Sequence, residues 1–193
     1  MKKIPLGTTD ITLSRMGLGT WAIGGGPAWN GDLDQQICID TILEAHRCGI
    51  NLIDTAPGYN FGNSEVIVGQ ALKKLPREQV VVETKCGIVW ERKGSLFNKV
   101  GDRQLYKNLS PESIREEVEA SLQRLGIDYI DIYMTHWQSV PPFFTPIAET
   151  VAVLNELKAE GKIRAIGAAN VDADHIREYL QYGELDIIQA KYS

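Results

Sequence analysis

The stretch SLQRLGIDYIDIYMTHW, Ser121–Trp137, decides how this chain is organised. Leu122 and Leu125 complete a helical spacing begun at Ile114 and Val118, and Gly126 ends it, the place where a helix takes a glycine. Tyr129–His136 then runs almost continuously apolar before closing on a histidine. A strand that does not alternate is covered on both faces, which is the condition of a parallel sheet flanked by helices. The same unit recurs in both directions along the chain. Upstream, Asp34 opens a segment with Ile39, Leu43 and His46 on one face, Gly49 closes it, and NLID (Asn51–Asp54) follows as a strand. Ser64–Leu75 is a second helix, followed by the strand VVVET (Val80–Thr84), and Ser110-Pro111 opens the helix of the quoted stretch. Downstream, Thr145-Pro146 opens a helix that ends at Gly161 before IRAIGAA (Ile163–Ala169), and Asp172–Gly183 precedes LDIIQA (Leu185–Ala190). With a short strand around Arg15–Gly19, the order is βαβαβαβαβαβ, which requires a parallel sheet with helical crossovers. A doubly wound open sheet and a (β/α)8 barrel both meet that requirement. Lys3–Ser14 reads as a small hairpin that Pro5 confines to an edge. Gly87–Asn108 reads as a long irregular loop of mixed charge, the kind that is functional or mobile.

Composition narrows the function classes. The 193 residues are 44% hydrophobic and 23% charged, in the range of one ordinary globular domain. A formal charge of -5 argues against a nucleic-acid partner, which needs a basic face. No apolar run reaches the ~18 residues of a membrane span, and the opening MKKIPLGTTD lacks the apolar core of a signal peptide. Cys38, Cys48 and Cys86 are odd in number and at no metal-like spacing, so reduced thiols in a cytoplasmic protein are expected, with no metal site.

GLGTWA, Gly17–Ala22, formally fits the dinucleotide fingerprint, with Asp40 at a suitable distance. That fingerprint needs a helix to begin inside it, and Gly24-Gly25-Gly26-Pro27 cannot sustain one. Glycines at a strand end that let a ligand lie against the backbone are the better reading.

The chemistry sits at the carboxyl ends of the strands. Asp54, Lys85, His136, Asn170 and Gln189 fall there in succession, and in a barrel such a ring is the active-site face. The first four have a plain structural alternative: a loop cap, a solvated lysine, a core histidine, a turn residue. Tyr59 follows Asp54 in the loop DTAPGYN, where Pro57 and Gly58 turn the chain. A free phenol, with a pKa of about 10, is a poor acid at neutral pH. A lysine ammonium about 4 Å away favours the phenolate by up to about 4 kcal/mol at an effective dielectric of about 20. Asp54 would hold Lys85 charged and His136 would orient a carbonyl oxygen. This set suits protonation of a carbonyl oxygen as a hydride arrives at carbon, and a hydride must come from a cofactor. Trp21, Trp90, Trp137, Phe143 and Phe144 follow strands and are expected to wall a small carbonyl substrate.

IPLGTTDITLSRMGLGTW, DTAPGYNFGNSE, VVVETK, the opening stretch and GKIRAIGAAN, in this order and spacing, resemble the aldo-keto reductases over the whole chain. The resemblance implies a (β/α)8 barrel whose bottom is closed by the hairpin of residues 1–14. It implies NADH or NADPH lying extended across the top, and reduction of small aldehydes or ketones. It assigns the catalytic tetrad to Asp54, Tyr59, Lys85 and His136, with Tyr59 as general acid. Cofactor contacts fall on Gly19, Thr20, Trp21, Asp54, Asn170 and Gln189, and substrate contacts on Trp21, Tyr59, Trp90, His136 and Trp137. Three departures stand out. Ala169 replaces a common serine, which removes one cofactor hydrogen bond. Gln138 follows Trp137 where proline is common, which alters the substrate loop. The chain also stops at Ser193 after six strands, where such a barrel has eight over about 250 residues. The chain is therefore expected to be the N-terminal part of a single barrel domain, without the segments that select NADH or NADPH. Two other classes are a Schiff-base lyase using Lys85 and a non-catalytic subunit of the same fold, like those of potassium channels.

Overall fold

The computed structural model describes residues 1–31 and 33–191; Ser193 lies outside them. A two-stranded antiparallel hairpin comes first, β1 (Lys3–Pro5) and β2 (Thr12–Ser14). The repeating unit follows: β3 (Gly17–Gly19), α1 (Gln35–Arg47), β4 (Leu52–Asp54), α2 (Asn63–Leu72) and β5 (Val81–Cys86). A separate antiparallel sheet interrupts it, with β6 (Ile88–Val89), β7 (Ser95–Val100) and β8 (Arg103–Lys107). The unit then resumes with α3 (Pro111–Leu125), β9 (Ile130–Thr135), α4 (Ile147–Ala159), β10 (Ile163–Ala169), α5 (Ala173–Tyr182) and β11 (Ile187–Gln189).

The caps that the sequence announces are formed. Asp34 accepts from the Ile37 N–H and Ser110 from the Ser113 N–H, while Asp172 closes a capping box with His175. Gly126 ends α3 at φ 65°. Two expected starts differ. Thr145 is buried and its carbonyl accepts from Ser139, so α4 starts uncapped behind Pro146. Ser64 lies inside α2, and its hydroxyl bonds Thr20 and Thr55.

The main sheet is parallel throughout, in the order β11-β10-β9-β5-β4-β3. It is curled. Gln189, on the last strand, donates 2.9 Å to the Asp54 carboxylate, on the strand next to the opposite edge. Each helix packs against its sequence neighbour, α1 on α2 through to α4 on α5, so the helices form one outer ring. A doubly wound sheet would need helices on both faces. The six strands are therefore part of a (β/α)8 barrel.

The barrel interior is apolar toward its bottom. Leu52, Val81, Ile132, Met134, Ala165 and Ile187 meet Leu6, Ile11 and Leu13, which the hairpin inserts as a plug. Asn51 pins that plug, since its side-chain oxygen accepts from the Ser14 N–H at 2.5 Å. Near the same end, buried Asp131 is held by Arg77 at 2.7 Å, Arg164 at 2.6 Å and the Val82 N–H at 2.9 Å. A larger core fills the space between strands and helices, built on residues such as Ile53, Val82, Val118, Tyr133 and Leu154.

Gly87–Asn108 is not an irregular loop. Its second half is a hairpin in which Val100 pairs with Arg103 across a two-residue turn, with Gly101 at φ 60°. The strands are short and mostly exposed, and Leu105 is the one buried hydrophobic residue of β7 and β8. That is why hydrophobic patterning did not reveal them.

Both edge strands, β3 and β11, present unpaired backbone groups, and Ile188 on β11 is exposed. As a separate polypeptide the 193 residues should self-associate through these edges. Light scattering checks this, and a monodisperse monomer would contradict it.

Candidate active site

Alternation along the strands sets which side chains face inward. On β4 and β5, Leu52 and Val81 belong to the interior cluster. Asp54, Glu83 and Lys85 have the same parity, so they point into the barrel above it. Lys85 is fully buried, and its ammonium has three acceptors: the Asp54 carboxylate, the Thr55 carbonyl at 3.0 Å and the Tyr59 hydroxyl at 3.2 Å. An ammonium has three protons, so the group is saturated.

Tyr59 is delivered by a tight loop. Its N–H donates to the Ala56 carbonyl at 3.1 Å, the Gly62 N–H reaches Pro57 at 2.7 Å, and Asn60 and Phe61 both adopt φ 52°. Asn60 and Asn63 each donate to the Gly24 carbonyl at 2.9 Å, which ties this loop to the glycine run. A Cβ on Gly26 would stand 2.7 Å from the Asn60 side-chain oxygen. Gly24–Gly26 thus serve loop-on-loop packing, while beside Gly19 a Cβ would find open space.

At the strand ends, the His136 N–H donates to the Cys86 carbonyl at 2.9 Å. Its ring stands edge-on to Tyr59, centroids 5.8 Å apart. The Nδ1 atom is buried without a hydrogen-bond partner among the described residues. Burial first, and the Lys85 charge second, push His136 down to about 3, so the imidazole is neutral. Asn170, at φ 54°, joins three strand ends: its N–H donates to Gln189 at 3.1 Å and its amide to the His136 carbonyl at 2.8 Å. Behind β5, buried Glu117 accepts from the Gly87 N–H at 2.8 Å and from Ser113 at 3.0 Å, and so anchors the exit of the Lys85 strand.

Two proton affinities differ from simple expectation. Tyr59 is raised, because burial outweighs the lowering by Lys85. The ammonium does oppose the rise, but the resting phenol holds its proton more firmly than a free one. Burial pushes Lys85 down, yet the negative groups around it, Asp54 foremost, leave it raised. A Schiff-base lysine needs the opposite shift.

A cleft of about 400 Å³ opens over this group, lined among others by Trp21, Tyr59, His136, Trp137, Asn170 and Gln189. The second sheet forms one wall: Phe97 lies 5.8 Å from the Trp137 ring, and the Lys107 ammonium stands 4.8 Å from the centre of that ring. Not every expected residue arrives. The Thr20 side chain is buried and donates 2.9 Å to the Asp54 carbonyl, so it joins strand ends and does not face the cleft. Trp90 packs edge-on against Phe61, centroids 5.7 Å apart, and lines a different depression with Arg124. Phe143 and Phe144 are exposed outside the cleft. Gln138 is buried, bonded to Thr135 and Tyr179 at 3.1 Å each, so it braces α5 against β9. Ala169 is buried in the interior cluster.

Sequence reasoning missed Glu83. The signal was present, since Glu83 stands two residues before Lys85 in VVVETK and a strand puts both on one face.

The sequence matches the Aldo/keto reductase family over residues 15–193. The chain belongs to that family. It is 98% identical over 193 residues to the NADH-specific methylglyoxal reductase of Escherichia coli (strain K12), covering all of this chain and 59% of that one. It is 43% identical to aldo-keto reductase YhdN of Bacillus subtilis (strain 168), again over the whole chain and 54% of the relative. Among solved structures, the holo form of aldo-keto reductase AKR11C1 from Bacillus halodurans superposes with a TM-score of 0.83 at 35% identity, over 100% of this chain and 58% of that one. The glycerol dehydrogenase AKR11B4 from Gluconobacter oxydans gives 0.81 at 38% identity, over 97% and 54%. The chain spans a little over half the length of these relatives.

His136 yields a pH test. Its value of about 3 in the fold lies below the 6.5 of the free group, so on acidification the unfolded chain takes up the proton first. The stability from the neutral imidazole is complete above the unfolded value and is lost as pH falls from there toward the folded value. Histidine NMR should show His136 neutral at mildly acidic pH; titration near the free-histidine value would contradict this.

Proposed function

We propose that this chain carries the catalytic face of an NAD(P)H-dependent reductase of small aldehydes and ketones, dicarbonyls of the methylglyoxal type included. The observation that carries the reading is the Tyr59 hydroxyl, 3.2 Å from a buried, saturated Lys85 ammonium and beside a neutral His136 in an open cleft. The name of the 98% identical relative favours NADH as the cofactor and methylglyoxal as a substrate.

The residues present fit a nicotinamide. The cleft carries amide groups of Asn170 and Gln189 at its rim, an indole face at Trp21 and open backbone at Gly19. These would hold the cofactor; Thr20 is buried, with its hydroxyl, N–H and carbonyl all bonded within the protein, and offers it no contact. When bound, the reduced nicotinamide supplies the hydride. The chain supplies the rest. His136 and Tyr59 bind the substrate carbonyl oxygen and orient it. The raised affinity of Tyr59 keeps the phenol protonated through neutral pH. As charge develops on the substrate oxygen, Tyr59 gives up its proton, and the Lys85 ammonium stabilises the phenolate that remains. Asp54 holds Lys85 charged and in place.

No helix among the described residues is long and apolar enough to cross a membrane. With the net charge of -5, this supports a cytoplasmic enzyme without a nucleic-acid partner.

Tyr59→Phe, made in the chain continued to the length of its relatives, should lower turnover at least about 100-fold while cofactor affinity changes little. Steady-state kinetics and cofactor titration check this. Near-normal turnover in the variant would overturn the assignment.

A further inference from the structure

Glu83 is a carboxyl group inside the barrel that the mechanism above does not use. It sits on β5 in register with Asp54 of β4, two residues before Lys85, and is 2% exposed. The interior positions of β9, β10 and the hairpin around this level are apolar: Ile132, Met134, Ala165, Leu6 and Leu13. An apolar side chain would suit the packing. Among the described residues the Glu83 carboxylate accepts one hydrogen bond, from the Gln189 amide at 3.1 Å. The same nitrogen donates to Asp54 at 2.9 Å, so one amide bridges the buried Glu83 carboxyl and the half-buried Asp54 carboxyl from across the barrel.

The ionisable groups that face this region are Asp54 from β4, Lys85 from β5, Tyr59 from the loop after β4 and His136 after β9. His136 is neutral. Burial first, then the Asp54 charge, push Glu83 up to about 7 against the pull of Lys85. Its charge therefore changes across the neutral range. Ionised Asp54 and charged Lys85 sum to zero. An ionised Glu83 adds one negative charge, and so does a Tyr59 phenolate, and both draw on the same ammonium in a poorly solvated interior. Each opposes the other.

We propose that Glu83 is a positioning residue that biases the site toward carbonyl reduction, its carboxylate holding Gln189 on Asp54 and its negative charge keeping the Tyr59 proton on the phenol. This rests on the carbonyl-reductase reading. In reduction, hydride passes from the reduced nicotinamide to the carbonyl carbon and the proton from Tyr59 to the carbonyl oxygen. In alcohol oxidation, a Tyr59 phenolate takes the alcohol proton while hydride leaves the alcohol carbon for the oxidised nicotinamide. A charge that disfavours the phenolate therefore hinders the second direction and spares the first.

The test uses Glu83→Gln and Glu83→Asp in the chain continued to the length of its relatives. Alcohol oxidation and carbonyl reduction are followed from neutral to alkaline pH. Tyr59 phenolate absorbance is titrated in parallel, with the Tyr59→Phe signal subtracted. Glu83→Gln should move the acid limb of oxidation and the Tyr59 titration down by about one pH unit, raising oxidation about tenfold at alkaline pH, where Glu83 is fully ionised, and only about twofold around neutrality, where it is half ionised. Glu83→Asp keeps the charge and should keep the wild-type limb. An unmoved limb and titration in folded Glu83→Gln would overturn the proposal. Should that variant not fold, carboxyl carbon-13 NMR of the otherwise unaltered chain, with the Glu117 signal removed by Glu117→Gln, reads Glu83 directly. A Glu83 signal that stays protonated into the alkaline range would then overturn it, because the charge would be missing where oxidation proceeds, and ionisation by the neutral range would support it. The phenolate titration needs no turnover, so it judges Glu83 even if no carbonyl is reduced, an outcome that would sink the reductase reading instead.

Discussion

A lysine ammonium removed from water inside a barrel is the constraint on which the upper half of this molecule depends. Burial alone would drive Lys85 to lose its proton. It stays charged because the Asp54 carboxylate, the Thr55 carbonyl and the Tyr59 hydroxyl accept hydrogen bonds from its three N–H groups. Those acceptors come from the end of one strand and the loop that follows. That loop must therefore be fixed, and the asparagine bonds from Asn60 and Asn63 to Gly24 fix it. Asp54 is in turn held by Gln189 from across the barrel, so the curl of the sheet and the charge state of the lysine depend on each other. The exit of the lysine strand is held by Glu117 at Gly87.

The barrel is divided along its axis. Its lower half is closed by apolar side chains and the hairpin plug, and buried Asp131 secures strand starts through two arginines and the Val82 N–H. Its upper half gathers the polar strand ends. Glu83 lies at the boundary, a buried carboxyl in register with Asp54 above the apolar zone. The division explains why the site can hold a neutral histidine, a charged lysine and a strongly protonated phenol within a few ångströms. Each state is set by how much water and how many partners remain at that depth.

Much of this could be read from residues alone. Near-continuous apolar runs gave the parallel strands, capping residues gave helix starts at Asp34, Ser110 and Asp172, and polar strand ends gave residues that converge on one cleft. Periodicity could not separate a curled from an open sheet. The Gln189–Asp54 bond does, and it is a contact between residues far apart in sequence. In the second sheet β7 and β8 escaped because they bury one hydrophobic residue, Leu105, between them, and β6 because it is two residues long. Trp90 was placed by its position after a strand and Thr20 by the family resemblance, yet local geometry sent Trp90 onto Phe61 and the Thr20 hydroxyl onto the Asp54 carbonyl. The net rise of Tyr59 was not legible either, because a residue's depth of burial cannot be read from its spacing to a lysine.

Lys85 is buried and holds its charge through neutral pH, and that state has a direct readout. Nitrogen-15 NMR of the lysine side chains, in the chain continued to the length of its relatives, follows the Lys85 Nζ through a pH titration. The account predicts an ammonium that persists at least as far into alkaline pH as an exposed lysine, with a signal that shifts when Asp54 is replaced by Asn. A Lys85 that deprotonates near neutral pH would contradict it, and would point to a nucleophilic amine in place of a fixed charge beside Tyr59.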